Sequence, residues 1–183
     1  MKQEEPDCWV LRFEPRGRYY RALLRYLFRF GCLFTLDVKE ELSETALAVL
    51  RELERFREVV GPSAEWPISP TTRSYWPEPE ALDVLLQRAD RLYAWKSPNL
   101  PENLFFRYDD GTALLMSDVA YRRAEMWLTD EQAEALDHDL PRFIFKWSVL
   151  EDMRPDLEGE EGAEWADEEY ERQMTRYPEP TDN

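Results

Sequence analysis

The chain has 183 residues, of which 43% are hydrophobic and 34% charged, with a formal net charge of −16. That length and hydrophobic share suit one domain with an ordinary core. A surface of that sign repels phosphate backbones and anionic headgroups over a Debye length of about 8 Å in physiological salt, which argues against general nucleic-acid binding and against membrane association.

Cys8 to Phe13 (CWVLRF) is rich in strand formers and ends in the turn residues Pro15, Arg16 and Gly17, so it reads as a first strand. Arg18 to Phe30 places Tyr20, Leu23, Leu24 and Leu27 at helical spacing, with Arg21, Arg25 and Arg29 on one i, i+4 stripe. Gly31 is placed to stop this helix, and Cys32 to Val38 follows as a second strand expected beside the first. Ser43 opens a long helical pattern with Leu47, Leu50, Leu53 and Phe56 inward, closed by Gly61 and Pro62. The five prolines from Pro62 to Pro79 inclusive predict an irregular connection carrying Trp66, Tyr75 and Trp76.

Pro79 is set at the first position of a third helix, with Leu82, Leu85, Leu86, Ala89, Leu92 and Tyr93 continuing to near Trp95. Asn103 to Tyr108 and Thr112 to Val119 flank Asp109, Asp110 and Gly111 and make the clearest hairpin. Ala124 to Leu128 reads as another strand. Thr129 caps a short helix running to about Leu136, and Arg142 to Trp147 reads as a last strand. The expected fold class is α+β, a small, mostly antiparallel or mixed sheet covered by three to four helices. The pattern does not give the strand order.

The charge is unevenly spread. Residues 151–183 hold thirteen acidic residues against Arg154, Arg172 and Arg176, a net −10 that leaves −6 for the rest. Two parts are therefore expected: a mixed α/β globular domain over residues 1–150, and an acidic tail over 151–183, partly disordered or packed on the domain. Cys8 and Cys32 do not make a disulfide framework, and MKQEEPDCW lacks the apolar run of a signal peptide. The longest apolar stretch, Leu23 to Leu36, is broken by Arg25, Arg29 and Gly31 and falls short of the roughly 20 residues that cross a bilayer. A cytoplasmic protein is the expectation.

No catalytic residue, metal-ligand set or cofactor motif is assigned. His138, the one histidine, stands among acidic residues near a helix end with no nucleophile signature around it. Asp109 and Asp110 precede glycine, where aspartate favours a turn for backbone reasons. The candidate binding residues are of three kinds. Trp66, Tyr75, Trp76 and Trp95 lie in proline-fixed segments that lose little entropy on docking. Arg21, Arg25 and Arg29 form a basic stripe suited to an acidic ligand or to the tail itself. Glu164, Trp165 and Glu168 in the tail are a second recognition element.

Four words occur in order: PDCW at Pro6 to Trp9, YRALL at Tyr20 to Leu24, EWP at Glu65 to Pro67, and LPENLFFRYDDGTALLMS at Leu100 to Ser117. In them the chain resembles a family of short bacterial proteins, some of which carry the label stage III sporulation protein AH. The resemblance spans most of residues 6 to 136 and leaves the acidic tail uncovered. The label implies a membrane-anchored sporulation component, which the sequence does not match, so no function is taken from it. Where the family pattern follows the hairpin with AHE, this chain has Val119, Ala120 and Tyr121, and any role of that histidine is absent here.

The reading that results is a non-catalytic acidic factor, of adaptor, inhibitor or immunity type, that recognises a protein partner with a basic face. The alternative is a small-molecule sensor or enzyme with a pocket near the Trp66 to Trp76 loop, using Asp109, Asp110 or Glu65 with Arg107.

Overall fold

The structure, a computed structural model, describes residues 6–11, 13–58, 71–140 and 144–146. Its elements in chain order are β1 (Asp7–Leu11), α1 (Gly17–Phe30), β2 (Leu33–Asp37), α2 (Glu44–Leu53), β3 (Thr72–Tyr75), α3 (Pro79–Arg88), β4 (Glu102–Arg107), β5 (Ala113–Asp118), β6 (Arg123–Leu128), α4 (Asp130–Asp139) and β7 (Ile144–Lys146). Short 3-10 turns follow α2 and α3, at Glu54–Phe56 and Leu92–Ala94. The fold is α+β.

The seven strands form one sheet in the order β3-β2-β4-β5-β6-β1-β7, and every neighbouring pair is antiparallel. Directly paired residues share a face, so the register defines a row of side chains across the sheet: Tyr75, Phe34, Phe106, Leu115, Met126 and Trp9. Phe34 stacks on Tyr75 and Phe106 at ring distances of 5.3 and 5.6 Å, and Phe28 of α1 packs on Phe34 and Phe106 from above. Buried residues of all four helices, among them Leu23, Leu27, Val49, Leu53, Leu85 and Leu136, join this row in one continuous core. Contacts between helices order the layer as α2, α3, α1, α4. The matching row on the opposite face is Ser74, Thr35, Phe105, Met116, Glu125 and Val10.

Local chemistry explains most element ends. Ser43 Oγ accepts the Ala46 N–H at 3.2 Å as an N-cap, and Pro79 takes the first turn of α3, where its missing N–H costs nothing. Thr129 and Gln132 close a capping box at the start of α4. Gly111 supplies a positive φ, 88°, at the turn between β4 and β5, and Asp110 Oδ1 accepts the Thr112 N–H beside it. Gly31 ends α1, as its position predicts, without adopting a left-handed conformation. Its φ is −77°, and a Cβ there would lie 2.7 Å from the Leu27 carbonyl oxygen and 3.1 Å from the Phe106 ring, so close approach selects the glycine.

Several expectations need correction. β1 and β2 are not neighbours, because the β4-β5-β6 meander is inserted between them. Thr72–Tyr75, assigned from its prolines to an irregular connection, is an edge strand; Pro70 and Pro77 flank it without entering it. Leu47 is exposed at 39%, because the inward face of α2 is Ala46, Val49, Leu50 and Leu53. Gly61, Pro62 and the acidic tail lie outside the described residues.

One buried charge ties three connections together. Glu14, between β1 and α1, is 2% exposed. Its Oε1 accepts the Tyr93 N–H at 2.8 Å, while Oε2 accepts from Arg16 Nε at 3.0 Å and Arg122 Nη2 at 3.4 Å. Backbone bonds reinforce the same junction: Gly17 N–H to Asp90 O at 2.7 Å and Leu92 N–H to Pro15 O at 3.3 Å.

Beneath α1 the Trp95 Nε1–H donates to Tyr20 Oη at 2.7 Å. Burial pushes the Tyr20 phenol well above its ordinary value of 10, against the lowering effect of the Trp95 hydrogen bond, and burial does the same to Tyr93 with help from the Glu14 charge. The native state therefore keeps these protons where the unfolded chain releases them. Stability should be insensitive to these groups below about pH 9 and fall as pH rises past about 10. Thermal melts between those values and about pH 11 test this, and Tyr20→Phe should have a shallower alkaline decline than wild type.

Candidate interaction surface

The helix layer sorts charge by helix. α1 carries Arg18, Arg21, Arg25 and Arg29 and no acidic residue, whereas its neighbour α4 carries Asp130, Glu131, Glu134, Asp137 and Asp139 and no lysine or arginine. On α1 the core takes Tyr19, Tyr20, Leu23, Leu24 and Leu27, which leaves Arg21, Arg25 and Arg29 exposed on the opposite stripe, one turn apart. None of these three has an ion-pair partner among the described residues. Arg29 lies over the Phe30 ring at 5.1 Å, and Phe30, 39% exposed, packs on Tyr26 at 4.7 Å. The C-terminal end of α1 therefore joins an aromatic surface to a cationic one, a combination favoured at protein interfaces.

On α4, Ala133 and Leu136 face the core, while Glu131, Glu134 and Asp137 are exposed. Glu131 and Glu134 have no ion-pair partner among the described residues. Asp130 is engaged: Lys146 Nζ lies 2.7 Å from it and 2.9 Å from Asp7, and both bonds raise the lysine's proton affinity. That lysine fastens β7 to β1 and to the first turn of α4. His138 is exposed in the last turn of α4, where the helix dipole favours a positive group.

The structure separates the other sequence candidates. Trp76 is 41% exposed in the β3–α3 connection. Tyr75 and Trp95 are both fully buried, which corrects their assignment to a partner-facing surface. Tyr75 points into the aromatic row at the sheet edge, and Trp95 finds its hydrogen-bond partner in Tyr20, 75 residues away in sequence. Trp66, Glu164, Trp165 and Glu168 lie outside the described residues. Arg21, Arg25 and Arg29 are the candidates that come together. Phe30 was missed because it sits at the edge of the apolar stripe, and Glu131 and Glu134 because no sequence motif marks surface carboxylates as a site.

The residues proposed for a small-molecule pocket do not converge. Asp109 and Asp110 are exposed at the hairpin, and hydrogen bonds from Thr112 hold the Asp110 carboxyl below its usual range. Arg107 is paired with Glu58 at 3.3 Å, while Glu65 is outside the described residues. Open cavities lined by described residues lie elsewhere. One of about 650 Å³ lies beside α2 and is lined by Val38, Leu47, Leu50, Arg51 and Arg73. One of about 470 Å³ lies on the face opposite the helices, lined by Phe105, Met116, Asp118, Arg123 and Glu125. Cys8 borders that face, and burial, followed by the Glu125 charge, pushes its thiol up to about 11, which keeps it protonated and unreactive at neutral pH.

Among the described residues no helix is long and apolar enough to cross a membrane. Comparison of the chain with protein-family models, curated protein sequences and solved structures gave no match.

The contrast between Trp95 and Trp76 is measurable. Trp95→Ala should cost about 3–5 kcal/mol in urea unfolding, as for a large core ring, while Trp76→Ala should stay within about 1 kcal/mol of wild type.

Proposed function

We propose that the protein is a non-catalytic binding factor, of adaptor, inhibitor or immunity type, that recognises a protein partner with a basic face. The observation that carries this reading is the exposed acidic face of α4, where Glu131 and Glu134 are uncompensated by any described cation. Thirteen further acidic residues follow in 151–183. Carboxylates left unpaired in this way steer a cationic partner over several ångströms and raise its association rate more than its final affinity. Such recognition needs no bound cofactor and no reacting group.

Affinity capture from native lysate at about 50 mM and about 500 mM salt, with wild type and Glu131→Lys/Glu134→Lys, tests the proposal. The expected result is a basic protein retained by wild type at low salt and lost both at high salt and with the charge-reversed variant. Retention of no basic protein by wild type, or retention indifferent to salt and to the reversal, would contradict it.

A further inference from the structure

We propose that the arginine face of α1 is a docking surface for the chain's own acidic segment, residues 151–183. This does not depend on which partner the protein binds.

The face itself is the first argument. Arg21, Arg25 and Arg29 are exposed, successive turns apart, and lack a carboxylate partner among the described residues of a chain with net charge −16. Cations elsewhere in the described fold are commonly paired: Arg16 and Arg122 with Glu14, Arg88 with Glu52, Arg107 with Glu58, Lys39 with Glu102. Arg55, Arg91 and Lys96 also lack an ion pair among the described residues, but they stand singly, whereas the α1 arginines form a row.

The segment's charge is the second. Residues 151–183 carry a net −10, and Glu160, Glu164 and Glu168 recur at the same four-residue interval as Arg21, Arg25 and Arg29. The two rows therefore share one four-residue period in the sequence. Trp165 falls inside the acidic row, and an indole ring is a chemically suited partner for an exposed pair such as Phe30 and Arg29.

Connectivity is the third. β7 is paired with β1, the strand that leads into α1, and Lys146 ends it 14 residues before Glu160. A chain of that many residues reaches at most about 50 Å, which covers the length of α1, roughly 21 Å. Tethering at this distance gives the segment a local concentration in the millimolar range. A second copy or a free acidic protein must reach comparable bulk concentrations to compete. Exposed ion pairs are individually weak, but a tethered set does not lose the translational freedom that free association costs. A docked segment is withheld from a basic partner, so α1 and that partner compete for the same carboxylates.

Native digestion of the full chain with a glutamate-specific protease reads this directly, with cuts between Glu158 and Glu171 followed by mass spectrometry. A free peptide of residues 151–183 supplies the unprotected rate under each condition. At about 20 mM salt, where the Debye length is roughly 20 Å, the segment should be cut about fivefold more slowly in the chain than in the peptide. The difference should vanish in Arg21→Glu/Arg25→Glu/Arg29→Glu, and in wild type at about 0.5 M salt, where the Debye length is roughly 4 Å. Arg21→Lys/Arg25→Lys/Arg29→Lys should keep most of the protection. If circular dichroism shows the reversal variant unfolded, the lysine variant and the salt comparison decide. Cleavage of the wild-type segment at the peptide's rate in low salt overturns the proposal. So does protection that grows with protein concentration, which would assign the face to a second copy.

Discussion

The arrangement of the helix layer depends on one buried carboxylate. Glu14 sits where β1 turns into α1 and receives hydrogen bonds from the Tyr93 backbone, Arg16 and Arg122. These partners belong to three different connections: the β1–α1 junction, the α3–β4 segment and the β5–β6 turn. A carboxylate at 2% exposure is costly unless its oxygens are occupied, and here both are. The same junction places Arg122 at a φ of 47°, a conformation that a non-glycine residue holds only when its surroundings insist on it. With the start of α1 fixed against Asp90 and Leu92, the rotation of the helix is set, and its arginine stripe faces outward between α3 and α4.

From this follows the electrostatic character of the molecule. An all-acid helix and an all-basic helix lie side by side, with few of their exposed charges compensated within the described fold. Neither arrangement stabilises the domain appreciably, since exposed charges contribute little to folding. Both shape what approaches the surface, and the acidic face and the arginine face invite opposite partners. The proposed function uses the first, and the docking of the acidic segment uses the second.

Helical periodicity and capping residues made α1, α2 and α4 legible in the sequence, because Ser43 and Thr129 are the caps and the leucine spacing marks the inward faces. The hairpin was legible from Asp110 and Gly111, and the α+β class from the alternation of element types. What was not legible depended on contacts between distant residues. Trp95 and Tyr75 looked like surface anchors because proline surrounds them, yet their burial is decided by Tyr20 and Phe34. β3 was hidden by its flanking prolines. In α2 the apolar residues are dense enough to allow two phases, and Leu47 fell outside the one the core selects. Glu14 appeared as a lone acid in an arginine-rich stretch; nothing local announces that residues 79 and 108 positions away will close on it. The arginine stripe, by contrast, was read correctly as an exposed face, since an i, i+4 row opposite leucines has only one direction to point.

Glu14 locks α1 in place, and amide hydrogen exchange combined with urea unfolding of Glu14→Ala tests this most directly. Loss of charge-assisted hydrogen bonds at a buried site should lower stability by about 2–3 kcal/mol. It should also speed exchange together at the Tyr93, Leu92 and Gly17 amides, which lie at the junction. Stability within about 0.5 kcal/mol of wild type, with those three amides exchanging at wild-type rates, would contradict the account.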